Sequence, residues 1–238
     1  LHSRYIRTHK ELLEQKIMQC SEDSQWKGIW ISTQIVEASL DIDFDLLYTE
    51  MCTCDSLLQR MGRCNRRGLK PLTKANIIII NNQNGVGRKS VYDPELVTRA
   101  LEYLRDYEGM IFTEVMKEEY IAKVYDPQQM KGTNYYKVIK DRLKHLKDLQ
   151  PEEYTLEETR KDFRKISSIT VIPDCIYNQY TDFFEKGYLF LQNGSIGKDA
   201  KALVRRKLTD LTLNINRYGN YFPDGIDKDI IRVCGDSD

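Results

Sequence analysis

A run of four isoleucines at residues 77–80 constrains the fold more than any other feature of the sequence. A strand that is apolar at every position suits a parallel sheet with helices on both faces, because neither face of such a sheet meets water. The predicted helices are residues 8–19 and 55–61. The predicted strands are residues 28–32, 45–50 and 76–82, and the last of these contains the isoleucine run. Residues 1–84 are therefore predicted to form an α/β domain with a parallel sheet covered by helices.

Two further regions are predicted after a polar, glycine-bearing loop at residues 84–90. Residues 85–165 carry apolar stripes at helical spacing, and the first helix is marked by Asp93 as its N-cap and Pro94 in its first turn. They are predicted to form a helical linker region. Residues 166–238 are predicted to form a small mixed α+β C-terminal domain, with strand-like segments at residues 169–172, 188–191, 211–218 and 230–233.

The strongest functional signal is the sequence Q-R-M-G-R-C-N-R at residues 59–66, which we call the arginine segment. Arginine suits phosphate recognition because its planar guanidinium stays charged and offers five donors in a rigid fork. The segment follows a predicted strand after a short loop. Ligands of open parallel sheets gather at the carboxyl ends of the strands, so the arginines are predicted to lie at the ligand-binding edge.

The arginine segment resembles motif six of the superfamily 2 helicases. Residues 32–41, S-T-Q-I-V-E-A-S-L-D, are similar to motif V of the same superfamily, and we call them the threonine segment. Together with L-H-S-R-Y at the start and D-I-D-F-D from Asp41, they resemble one branch, the helicase–nuclease of type I CRISPR–Cas systems. The likeness covers roughly residues 1–70. It departs at Thr53, where that family usually carries a proline.

The resemblance implies a second RecA-like domain of an ATP-dependent DNA helicase, shortened at its N-terminus. Arg63 and Arg66 would place positive charge on the γ-phosphate in the transition state of ATP hydrolysis and are the catalytic candidates. The cofactor-binding candidates add three more residues, Asp41, Gln59 and Arg60. Asp41 would accept a hydrogen bond from the ribose or pair with an arginine of the arginine segment.

The resemblance also implies contacts to single-stranded DNA through Ser3, Arg4, Thr33 and Gln34. Such contacts would grip the sugar–phosphate backbone without reading bases, as a translocating motor requires. ATP and Mg²⁺ would be bound mainly by a first RecA-like domain. That domain, an N-terminal nuclease domain and the CRISPR RNA-guided surveillance complex are the expected protein partners.

The sequence has no G-x-x-x-x-G-K-[ST] phosphate loop and no histidine–aspartate nuclease element. It also begins inside a motif, so we interpret it as a fragment that should not hydrolyse ATP alone. Two alternatives remain open. One is another superfamily 2 motor, such as an RNA helicase or a restriction translocase, although Gln34 stands where many RNA helicases carry aspartate. The other is a non-enzymatic module that docks DNA or protein.

Composition excludes some other classes of protein. Acidic and basic residues balance at 36 each, so the overall charge indicates no partner. The six cysteines match neither a disulfide framework of a small secreted domain nor the spacing of a common zinc site, and no metal site is predicted. No apolar run approaches the length that a bilayer requires, so a cytoplasmic location is expected.

Overall fold

The computed structural model describes residue 2 and residues 5–23, 25–37, 41–82, 91–148, 168–216 and 232–234. The chain divides into two compact units. The sheet–helix unit is formed by Ile17–Glu153, and the terminal unit by Leu1–Lys16 together with Tyr154–Asp238. The division falls inside the first helix, α1 (Arg7–Glu22).

The sheet–helix unit contains a parallel pair of strands. Strand β1 (Leu47–Glu50) pairs with β2 (Ile77–Ile80), with Leu47 opposite Ile77 and Glu50 opposite Ile80. Between them lies α2 (Cys54–Met61), and after them come α3 (Pro94–Leu104), α4 (Glu114–Val124), α5 (Pro127–Met130) and α6 (Asn134–Asp148). Short 3₁₀ helices occupy Gln34–Glu37 and Arg105–Tyr107. The two strands are therefore parallel neighbours, and α2 lies between them in the chain.

Helix α2 is amphipathic, and its apolar face forms the core of this unit. The buried residues of that core come from α2, from the loop before it, and from α3 and α4; they are Met51, Cys52, Cys54, Leu57, Met61, Val97, Ala100, Tyr120 and Val124. The apolar stripe predicted on α3 is therefore a packing face. The helices after β2 thus help to hold the helix that carries part of the arginine segment.

The start of α3 agrees with its sequence signal. The side chain of Asp93 accepts hydrogen bonds from the backbone N–H groups of Glu95 and Leu96, at 2.9 and 3.2 Å, and Pro94 lies in the first turn. These contacts satisfy donors that have no partner inside the helix. The predicted N-cap is confirmed.

The strand predicted at residues 28–32 is wrong, since these residues have no regular secondary structure. Ile29 and Ile31 are both exposed. A strand forms only where a neighbour completes its hydrogen-bond ladder, and among the described residues β1 pairs with β2 alone. Local β propensity was therefore not enough to form a strand at residues 28–32. A sheet of more than two strands over residues 1–84 stays a prediction.

The terminal unit combines a small mixed sheet with helices. Strand β3 (Ser168–Pro173) runs antiparallel to β4 (Leu213–Asn216) and parallel to β5 (Arg232–Cys234). Helices α7 (Asp174–Gln179), α8 (Thr181–Gln192) and α9 (Lys198–Thr209) lie between β3 and β4 in the chain. Its buried core residues are Ile6, Ile172, Ile176 and Phe184. The predicted mixed α+β character of this region is confirmed.

The strand predicted at residues 188–191 is wrong, because they belong to α8. Phe184 and Gly187 are buried at helical spacing, and a Cβ atom on Gly187 would lie 3.2 Å from the side chain of Leu208 on α9. The close approach of two helices at a glycine outweighs the β propensity of Y-L-F-L.

Some predictions fall outside the described residues. The predicted domain boundaries at 84/85 and 165/166 both do so and stay predictions. The capping box expected at Thr155 and Glu158 also lies there. Within the described part of the chain, no helix has both the length and the apolarity that a membrane crossing needs.

Burial of the cysteines leads to a prediction about thiol reactivity. Burial raises the pKa of Cys52 to about 11, that of Cys54 to about 12 and that of Cys64 to about 11, so all three stay protonated near pH 8. Cys175 is exposed. Iodoacetamide should therefore modify Cys175 quickly in the native chain, and the three buried thiols only after unfolding, as measured by peptide mass spectrometry. Equal rates of modification at Cys52 and Cys175 in the native chain would contradict the burial of Cys52 in this core.

Candidate functional site

The candidate site lies at the carboxyl ends of β1 and β2. A pocket of about 340 Å³ opens there, and Thr33 and Gln34 of the threonine segment form part of its wall. The other lining residues are Ser32, Tyr48, Thr49, Glu50, Met51, Arg60, Ile80 and Tyr92. The sequence predicted that the arginine segment would lie at this edge of the sheet, and the structure places Arg60 of that segment around the same pocket as Thr33 and Gln34.

Helix α2 and the loop after it present the arginine segment. The helix buries Cys54, Leu57 and Met61, which leaves Gln59 exposed on the opposite side. Beyond Gly62 the loop turns at Asn65, whose φ of 46° lies in the left-handed region that asparagine tolerates better than most residues. The side chain of Asn65 then bonds to both backbone groups of Lys70, at 2.9 and 3.2 Å, which closes the loop.

Arg60 is held by an internal network. Its Nε donates to Oε1 of Glu37 at 2.8 Å, and its other nitrogens donate to the hydroxyls of Thr49 at 2.8 Å and Tyr92 at 2.6 Å. The side chains of Arg60 and Glu37 are only 12% and 15% exposed. The second carboxylate oxygen of Glu37 accepts from Ser56 at 2.9 Å. The nucleotide contact predicted for Arg60 would require its guanidinium to leave this network.

Arg63 and Arg66 lie in a different environment. An Nη of Arg63 donates to the backbone carbonyl of Glu37 at 3.1 Å. Burial lowers the pKa of the Arg63 guanidinium from its ordinary value, and the positive charge of Arg66 lowers it further, while Asp41 opposes both. Arg66 pairs with Asp41 at 3.3 Å, and their side chains are 41% and 77% exposed. The structure thus places two like charges and one carboxylate close together.

A second cluster fixes the loop that carries Arg66. The side chain of Asp43 accepts from the backbone N–H of Arg66 at 2.8 Å. Lys70 donates to the backbone carbonyl of Asp43 and pairs with Asp45, both at 2.8 Å. Phe44 also exchanges backbone hydrogen bonds with Arg63 and Asn65, at 2.9 Å each. The D-I-D-F-D sequence therefore anchors the arginine segment.

The predicted site residues fall into two groups. Thr33, Gln34 and Arg60 line the pocket, whereas Asp41, Arg63 and Arg66 meet at the loop after α2. The carbonyl of Glu37 connects the groups, because it lies in the same short helix as Gln34 and accepts from Arg63. Of the remaining predicted residues, Gln59 is exposed on α2, and Ser3 and Arg4 lie outside the described part of the chain.

Sequence reasoning assigned no role to Glu37, Tyr92 or Lys70. Glu37 lies inside the threonine segment between two apolar residues. An acidic residue at such a position could have indicated a shielded ion pair. Tyr92 and Lys70 act across 32 and 27 residues, on Arg60 and Asp43. No local pattern could have identified either of them.

Arg63 and Arg66 suit the phosphates of a nucleotide, because both side chains keep partial exposure beside a carboxylate that an anion can displace. Across the described ranges, no three His, Cys, Asp or Glu side chains come close enough together to hold a metal ion.

Comparison with known proteins gives one consistent family. Residues 1–69 match the family model described as CRISPR-associated nuclease/helicase Cas3, C-terminal. The chain is 29% identical over 216 residues to the CRISPR-associated nuclease/helicase Cas3 of Methanothermobacter thermautotrophicus, covering 87% of this chain and 25% of that protein. It is 31% identical over 110 residues to the Escherichia coli K12 protein, covering 43% and 12%. The chain thus spans about a quarter or less of these two relatives.

Solved structures share the fold. T. fusca Cas3 with AMPPNP matches at a TM-score of 0.60 and 18% identity, over 93% of this chain and 29% of that one. A chain of a CRISPR RNA-guided surveillance complex in a pre-nicking state matches at 0.55 and 18%, over 90% and 30%.

The two environments predict different losses of stability. Arg60→Ala should reduce the free energy of unfolding of the sheet–helix unit by roughly 3 kcal/mol, because it leaves the nearly buried Glu37 without its charge partner. Arg66→Ala removes the same charge from an exposed pair, worth about 0–1 kcal/mol, and serves as the matched control.

Urea unfolding followed by tryptophan fluorescence measures this difference. Both tryptophans of the chain, Trp26 and Trp30, lie in the sheet–helix unit, so the signal reports on that unit. Equal midpoints for the two variants would contradict the structural role of Arg60.

Proposed function

We propose that the chain belongs to the family of CRISPR-associated nuclease/helicases, whose C-terminal model residues 1–69 match, and that it forms part of an ATP-dependent motor on single-stranded DNA. The motor would unwind target DNA and help to degrade it in type I CRISPR interference. One observation carries this proposal: the arginine and threonine segments meet at the carboxyl ends of β1 and β2.

In the proposed nucleotide site, Arg63 and Arg66 contact the phosphates. Burial lowers the pKa of the Arg63 guanidinium, and the nearby charge of Arg66 lowers it further, so a polyanion that contacts both arginines would stabilise both charges. Gln59 is exposed on the same segment and would hydrogen-bond near the γ-phosphate or to the attacking water. Asp41 holds Arg66 through an exposed pair that a phosphate can replace. Arg60 would join these contacts only by leaving Glu37.

ATP, when bound, would supply the phosphoryl group, and Mg²⁺ would neutralise part of its charge. In our proposal both are bound mainly by a first RecA-like domain in the whole protein. The contribution of this chain is positive charge brought against the phosphates when the two domains close. The isolated chain should then not hydrolyse ATP.

The proposed DNA contacts are Thr33 and Gln34 in the pocket, with Ser3 and Arg4. Thr33 is exposed and begins the turn that leads into the 3₁₀ helix, with a bond from the backbone N–H of Val36 to its carbonyl at 3.3 Å. A hydroxyl and an amide at that position can bond sugar or phosphate oxygens of any sequence. Such contacts suit a motor that steps along a strand.

We also propose three protein partners: an N-terminal nuclease domain, the first RecA-like domain and the CRISPR RNA-guided surveillance complex. The fold shared with a chain of such a complex supports the third. The division into a RecA-like domain at residues 1–84, a helical linker at 85–165 and an accessory domain at 166–238 belongs to the same proposal, as does a cytoplasmic location.

The nucleotide role is tested by Arg63→Ala and Arg66→Ala in the whole protein. Each should lower the turnover number for ATP by about 10³-fold or more, with little change in affinity for single-stranded DNA, because the charge acts on the transition state. Steady-state ATP hydrolysis and fluorescence anisotropy measure the two quantities. Arg67→Ala, which removes a neighbouring exposed arginine, is the control. Normal turnover with lost DNA affinity would move these arginines to the nucleic-acid site.

The DNA role is tested by Thr33→Ala and Arg4→Ala in the whole protein. Thr33→Ala should weaken binding equally for all base sequences, by at most about 1.5–3 kcal/mol for a hydrogen bond to a charged group. Arg4→Ala should also reduce the slope of log affinity against log salt by about 0.7. Binding titrations at several salt concentrations measure both. An unchanged slope places Arg4 off the DNA, and a sequence-dependent loss at Thr33 excludes a backbone contact.

A further inference from the structure

Glu37 contacts both halves of the candidate site. Its side chain binds Arg60 and Ser56 on α2, and its backbone carbonyl accepts from Arg63 in the loop after α2. Glu37 is also the last residue of the 3₁₀ helix that begins at Gln34, directly after Thr33. One residue therefore joins the turn proposed to hold DNA to the helix that precedes the catalytic arginine.

Several hydrogen bonds join these residues to one another. Arg60 donates to Glu37, to Thr49 at the end of β1 and to Tyr92, and Tyr92 itself donates to Glu37 at 3.1 Å. These contacts close a ring around a carboxylate that is mostly shielded from water. Low exposure strengthens each electrostatic contact and makes any broken one costly.

The pocket places this ring of contacts beside the proposed DNA-binding residues. Arg60 and Tyr92 line the same cavity of about 340 Å³ as Thr33 and Gln34. A bound DNA strand that shifts the turn at Thr33 and Gln34 would also move Glu37, because Glu37 ends the same 3₁₀ helix. Any movement of Glu37 would disturb its side-chain contact with Arg60, its carbonyl contact with Arg63, or both.

We infer that Glu37 is a positioning residue that transmits DNA binding at Thr33 and Gln34 to Arg63. The inference rests on the proposed function and adds to it a residue for communication between the two sites. In this arrangement Arg60 holds the side chain of Glu37 in place, and the backbone carbonyl of Glu37 positions Arg63.

The test is Glu37→Gln in the whole protein, with ATP turnover measured with and without single-stranded DNA. Glutamine keeps the shape and can still accept from Arg60, but it lacks the charge that fixes the ring. The stimulation of turnover by saturating DNA should fall about tenfold, within the usual range of coupling between sites, while DNA affinity stays near that of the wild type. A role confined to stability would lower turnover equally in both conditions.

A matched control and a double variant sharpen this result. Asp55→Asn removes an exposed carboxylate from α2 without touching Glu37, and should leave the stimulation ratio unchanged. If the signal passes through the turn, Thr33→Ala combined with Glu37→Gln should lower the ratio no further than Glu37→Gln alone. Additive losses in the double variant would overturn the inference.

Failure of this inference can be separated from failure of the proposed function. If the wild type is stimulated by DNA and Arg63→Ala is inactive, the proposed function stands. Full stimulation in Glu37→Gln would then reject the role of Glu37 alone. If Arg63→Ala keeps normal turnover, the proposed function itself fails.

Discussion

The ion pair between Glu37 and Arg60 is the contact on which the geometry of the site depends. Two charges with little exposure are stable only when their remaining hydrogen-bonding groups also find partners. Here Ser56, Thr49 and Tyr92 supply those partners, and each comes from a different part of the sheet–helix unit. Satisfying this one ion pair therefore connects Glu37 of the threonine segment to α2, to Thr49 of β1 and to Tyr92, which precedes α3.

Arg60 and Arg63 thus have different environments, although the sequence alone does not distinguish them. Arg60 is held by Glu37, Thr49 and Tyr92, while Arg63 and Arg66 lie near each other and near Asp41. The pattern Q-R-M-G-R-C-N-R indicated phosphate recognition but could not say which guanidinium is held in a shielded network. That distinction depends on Glu37 and Tyr92, which lie 23 and 32 residues from Arg60.

The parts of the fold that the sequence predicted correctly depend on local chemistry. The N-cap at Asp93 and the strand at residues 77–80 are set by side chains within a few positions. The parts that it missed depend on distant partners. Residues 28–32 have strand propensity but no ladder among the described residues, and Gly187 allows α9 to approach where a strand was expected. Sequence reasoning gave Lys70 no role, because its contacts with Asp43 and Asp45 form only when the loop after α2 folds back towards these residues.

In the proposed nucleotide site, the exposed pair between Asp41 and Arg66 would also favour polyanions over singly charged anions. Asp41 occupies Arg66 before any ligand arrives, so an incoming anion must compete with a tethered carboxylate whose local concentration is high. A monovalent anion would gain little over that carboxylate, whereas a triphosphate that reached Arg63 and Arg66 together would gain contacts that Asp41 does not offer. Since salt screens the exposed pair, this discrimination should be sharpest in dilute buffer and should fade as ionic strength rises.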